Sequence, residues 1–146
     1  MAIGLNLFSG SNFRLTLQNY CNQLDWTIRE INDSKAILRF TADSGNTQTV
    51  FIIRYKETLE FSVPSGLDFP SLDDVPGRLS TLLLSENATD RVGFWCIEDI
   101  GGRQTFSIMH NAEMSLIDLQ YFGLVVLTLV KKCDDFEQRI QRALAG

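Results

Sequence analysis

Apolar positions recur with two different periods along this chain, and the switches between them mark its elements. Phe13, Leu17, Tyr20, Cys21 and Leu24 step by three and four, which is one face of a helix, with Ser11 or Asn12 placed to cap it. From Trp26 the period falls to two, and Trp26-Thr27-Ile28-Arg29-Glu30-Ile31 predicts a short strand before the turn Asn32-Asp33-Ser34. Ala36, Leu38, Phe40 and Ala42 then alternate with Ile37, Arg39 and Thr41, the pattern of a half-buried strand. After the turn Asp43-Ser44-Gly45-Asn46, the segment Thr47 to Tyr55 carries Val50-Phe51-Ile52-Ile53, apolar on both faces, and predicts a central strand. Beyond Lys56-Glu57, Leu59, Phe61 and Val63 alternate again. Four strands joined by short turns make an antiparallel meander.

Pro64, Gly66 and Pro70 break this pattern. Asp73 and Asp74 suit the first turn of a second helix, where Pro76 is tolerated, and Val75, Leu79, Leu82 and Leu83 give its stripe up to about Asn87. Arg91 to Asp99 and Arg103 to His110 flank Ile100-Gly101-Gly102 and predict a second hairpin, with Ile100 opposite Arg103 and Cys96 opposite Ser107. Ser115 and Asp118 form a capping pair before the last helix, whose stripe runs through Leu119, Phe122, Val126, Leu129, Cys133, Phe136, Ile140 and Leu144. Between Leu124 and Val130 the apolar positions wrap most of that helix. Such a helix is either central or meets a second chain along one flank. The order is helix, four strands, helix, two strands, helix. It predicts one α+β domain over 11–146, with 1–10 as an N-terminal extension and an antiparallel sheet covered by helices mainly on one face.

Composition narrows the function. The chain has 146 residues, 45% hydrophobic and 21% charged, which is globular and long enough for its own core. A net charge of −5 speaks against nucleic acid as the partner, because neutralising phosphates needs a basic patch. The apolar run around Leu124 to Val130 is too short to cross a membrane, so no membrane partner is expected. The first ten residues hold no Lys or Arg, and Gly4 and Asn6 interrupt their apolar stretch, so no secretory signal is expected. The three cysteines, Cys21, Cys96 and Cys133, form no C-x-x-C pair and suit a reducing cytoplasm.

No catalytic, metal or cofactor site is expected. His110 is the single histidine, which excludes multi-histidine metal sites. Cys96 and His110 share a hairpin, but a Gly101-Gly102 turn sets them three positions apart on opposite faces, and a one-residue register shift sets them on one face about four residues apart; both separations exceed hydrogen-bond reach. Gly101-Gly102 joins two strands, so it is no phosphate loop. The apolar surplus points instead to an interaction surface. Phe94, Trp95, Leu79, Leu83, Val126 and Leu129 are its candidates, for a homodimer and for a partner segment. The alternative is a small-molecule or enzymatic pocket between sheet and helices made of Arg39, Arg54, Tyr55 and His110, with the arginines clamping a carboxylate.

The helix leading into Gln23-Leu24-Asp25-Trp26, the meander with its Asp43-Ser44-Gly45 turn, the Pro-containing loop into the helix ending at Asn87, the second hairpin and the long helix from Ser115 together resemble the YbjN-type proteins, which share the fold of type III secretion chaperones. The resemblance covers the chain from about residue 11. It implies the α+β fold named above and a small acidic homodimer that holds a partner segment in extended form, with no catalytic residues.

Overall fold

The computed structural model describes Phe8 and residues 12–145. The period-two segments become six strands: β1 (Ile28–Ile31), β2 (Lys35–Thr41), β3 (Thr47–Tyr55), β4 (Thr58–Phe69), β5 (Phe94–Ile100) and β6 (Arg103–Glu113). They form one antiparallel sheet in the order β1-β2-β3-β4-β6-β5. The second hairpin therefore joins the meander through β6, and its register pairs Ile100 with Arg103 and Cys96 with Ser107.

Three helices, α1 (Phe13–Gln23), α2 (Gly77–Asn87) and α3 (Leu119–Ala145), complete the fold. Strand alternation sends Leu38, Val50, Ile52, Phe61, Val63, Ile108 and Trp95 to one face, where all are buried. There α3 lies across β4, β3 and β6. Phe122 stacks at 6.0 Å on Phe61, and Phe136 sits 4.7 Å from Trp95. At the other end of this core Tyr20 of α1 is fully buried, and its hydroxyl donates to the Ile117 carbonyl at 3.2 Å. Phe8 meets the Tyr20 ring edge-on at 5.1 Å. The segment read as an extension thus supplies one core ring; the rest of 1–10 and the capping candidate Ser11 lie outside the described residues.

Four boundaries differ from the sequence pattern, each for a local reason. Trp26 precedes β1 instead of opening it: its N–H closes α1 on the Cys21 carbonyl at 2.8 Å, and its ring packs on Phe40 and Phe122. Asp73 and Asp74 lie in a separate 3-10 turn, and Ser71 Oγ donates to Asp74 Oδ2 at 2.9 Å; α2 starts only at Gly77, after Pro76. The cap of α3 is Asp118, whose Oδ1 accepts from the Tyr121 N–H at 2.8 Å, while Ser115 sits in the 3-10 turn Met114–Leu116. Finally, β4 continues through Pro64 and Gly66 to Phe69. Proline is tolerated here because β4 pairs with β3 only as far as Ser62, so beyond that point the β3 side is an open edge.

The over-apolar stretch of α3 is explained mainly by its central position. Val125, Val126, Leu129 and Val130 are buried, while Leu124 and Leu127 remain 54% and 52% exposed. The Leu82 position of the α2 stripe also faces solvent, at 50% exposure.

Candidate functional site

The face of the sheet opposite the helices carries the alternate residues: Phe51 and Ile53 of β3, Glu60, Ser62 and Pro64 of β4, Thr105, Ser107 and Met109 of β6, and Phe94, Cys96 and Glu98 of β5. This face is not flat. In the β4–β6 register, the four-residue step from Pro64 to Asp68 matches the two-residue step from Ser107 to Thr105. An irregularity of this kind bends the strand that carries it. Glu98 pairs with Thr105, and Ser62 with Met109, four residues further along β6. On straight strands that offset is about 13 Å. Yet Ser62 Oγ donates to Glu98 Oε1 at 2.9 Å. The bend has folded the open face on itself into a groove of about 650 Å³. Thr105, Ser107 and Met109 are buried, although they lie opposite the helical layer.

One end of the groove is clasped by α3. Where β3 and β4 diverge, Glu137 reaches between them. Its Oε1 accepts from Gln48 Nε2 at 2.6 Å and its Oε2 from the Gly66 N–H at 2.7 Å. One carboxylate thus satisfies a side-chain amide and a β4 donor that has no β3 partner.

The groove is acidic. Glu60 and Glu98 both line the groove. Burial, and then the charge of Glu98, raise the Glu60 carboxyl above its ordinary value. Burial and both glutamates push the Cys96 thiol up to about 12, so Cys96 carries no thiolate near neutral pH. The Ser107 hydroxyl is fully buried and has no hydrogen-bond partner among the described residues.

His110 belongs to the helix-covered face, opposite Cys96. Its Nδ1 accepts from the Gly93 N–H at 3.1 Å, which puts the ring proton on Nε2, 2.6 Å from the Tyr121 hydroxyl. Burial, and then the Lys132 charge, lower its pKa below 6.5. Between that lowered value and 6.5 the unfolded chain holds a proton that the folded chain lacks. The stability His110 contributes is therefore complete above about pH 6.5 and is lost as pH falls through the folded-state value. Glu60, being raised, acts with the opposite sign above 4.5. Urea midpoints from pH 5 to 8 are expected to fall on acidification in the parent, and to fall less in His110→Gln. Parallel pH curves for the two would contradict this assignment.

The candidate residues from the sequence divide sharply. Trp95, Leu83, Val126 and Leu129 are at most 5% exposed, so they belong to the core. Leu83 and Trp95 do meet, at an apolar recess of about 170 Å³ between α2 and β5. There the Asn87 side chain covers the β5 edge: its Oδ1 accepts from the Trp95 N–H at 2.7 Å and its Nδ2 donates to the Trp95 carbonyl at 3.1 Å. Phe94 and Leu79 are half-buried, Phe94 on the open face and Leu79 on α2. The alternative pocket does not form. Arg39 is exposed on the groove rim, Arg54 Nε donates to the Lys56 carbonyl at 3.0 Å, Tyr55 is 57% exposed, and His110 points among the helices. Those four side chains lie on different faces and do not converge.

The comparisons agree with the architecture. No protein-family model matches the chain, and no curated protein does. Among solved structures, the crystal structure of YbjN from E. coli, there named a candidate transcription regulator, superposes with a TM-score of 0.57. The match covers 81% of this chain and 83% of that one, at 13% identity. The chain has the YbjN fold. At that identity the likeness carries the fold and not the activity, and it agrees with the element order read from the sequence. In this YbjN-like chain, no helix among the described residues is long and apolar enough to cross a membrane, and no described group of acidic, Cys and His side chains is placed to hold a metal ion.

Proposed function

We propose that this chain is a protein-interaction module, adaptor-like and without catalytic chemistry, that holds an extended partner segment in the groove of its open sheet face. The observation that carries the reading is the groove itself. It is concave, lined by backbone-rigid strands, and combines apolar walls at Phe51, Ile53 and Ile100 with polar groups at Ser62, Glu60 and Glu98. The likeness to a candidate regulator supports it at the level of fold. Selection of displayed random heptapeptides on the purified chain tests it. Enriched peptides that protect or perturb β3, β4, β5 and β6 are expected; the absence of any enriched sequence overturns the reading.

A homodimer is the second part of this proposal, favoured by the exposed pair Leu124 and Leu127 on α3. Light scattering is expected to give twice the chain mass, and Leu127→Asp to halve it while leaving the melting temperature of the fold almost unchanged. A parent protein that runs as a monomer contradicts the dimer. The three unpaired thiols fit a reducing compartment such as the cytoplasm.

A further inference from the structure

We infer that the occupant of the groove is an extended partner segment carrying a basic side chain, its ammonium or guanidinium seated between Glu60 and Glu98. This deepens the proposed function and rests on it.

The charges in the groove are unbalanced. Among the described residues, Arg39 is the only cation that lines it, against Glu60, Asp68, Glu98 and Glu137. Asp68 is already bound to Arg103 at 2.9 Å, and Glu137 is spent on Gln48 and Gly66. Glu60 and Glu98 take part in none of the ion pairs among the described residues. Both line the same concavity, and the charge of Glu98 opposes ionisation of Glu60. A cation placed between them removes that repulsion and gains two charge-assisted hydrogen bonds.

An ammonium has three donors and a guanidinium five, enough to bond both carboxylates at once. The aliphatic stem of such a side chain suits the apolar wall at Phe51 and Ile53. The net charge of −5 draws basic segments toward the chain as a whole.

Two synthetic probes test this: the blocked, fluorescein-labelled pentapeptide Thr-Val-Lys-Val-Thr and its counterpart with norleucine for lysine, titrated by fluorescence anisotropy. The lysine peptide is expected to bind at least tenfold more tightly. Glu60→Gln with Glu98→Gln is expected to erase that difference. Both substitutions are isosteric, and melting no lower than the parent shows that the variant is folded; Glu60→Gln alone is a second, milder variant expected to lose part of the preference. Equal binding of the two peptides, or a lysine preference that survives both substitutions, overturns the inference and leaves the groove reading intact. If neither pentapeptide binds while displayed heptapeptides without a basic residue still select on the open face, the inference falls alone. If no displayed peptide selects at all, the groove reading falls and takes this inference with it.

Discussion

Replacing Leu129 by aspartate is expected to abolish folding of the chain. Leu129 is fully buried in the middle of α3, where its Cδ2 packs on the backbone at Gly93. Removing such a side chain costs about 2–5 kcal/mol in lost transfer energy and cavity. Leaving an unpaired carboxylate in its place adds a desolvation penalty of several kcal/mol more. The total is of the order of the whole stability of a domain, about 5–15 kcal/mol. Circular dichroism and a urea titration check the outcome: no cooperative transition is expected for Leu129→Asp. A folded Leu129→Asp chain would place α3 differently from the arrangement described. The contrast with exposed Leu127, two residues earlier on the same helix, separates a core defect from an interface defect.

Gly93→Ala is expected to be the most destabilising Gly→Ala change among the described glycines. Gly93 has φ +87, and a Cβ there meets Leu129 Cδ2 at 2.7 Å and the Ile108 side chain at 3.2 Å. A left-handed conformation costs a residue with a Cβ about 1–2 kcal/mol. Overpacking a filled core costs about 1–3 kcal/mol more. The same glycine donates its N–H to His110 at 3.1 Å, so a shift to relieve the clash also loosens the His110–Tyr121 contact. Gly45 provides the control, since it has φ +94 with nothing within 4 Å of its Cβ position. Urea midpoints at constant slope are expected to show Gly45→Ala paying the backbone cost alone, and Gly93→Ala losing about 2–5 kcal/mol. Equal losses at the two positions would mean that α3 does not press on Gly93.

The sequence made the layout of elements visible because periodicity reports which face of an element is buried. Leu38, Val50, Phe61 and Ile108 carry that signal, and of the two β5–β6 registers the glycine pair left open, the structure takes the one with Ile100 opposite Arg103. Periodicity does not report what buries a face. Leu129 and Val126 therefore read equally well as interface or core, and only the position of α3 across β4, β3 and β6 separates the two. Chain breakers also mislead where the neighbouring strand has ended. Pro64 and Gly66 look like a loop, yet they form the open edge of β4. The groove was invisible for the same reason. It depends on the bend at Pro64 to Asp68, which brings Glu98 to Ser62 over 36 positions of sequence with no local pattern to announce it. The clasp at Glu137 is equally remote, 89 positions from Gln48. His110 was legible as a lone polar group, but its partners Gly93 and Tyr121 come from a turn and a helix that only the fold assembles.

The measurement that bears most directly on the account is an amide chemical-shift map of the chain titrated with a peptide selected on it. The account predicts shifts concentrated on Phe51, Ile53, Glu60, Ser62, Glu98 and Thr105, the residues of the groove, with the outer surface of α3 silent. Shifts confined to α3 or α2, with the open sheet face unchanged, would contradict it.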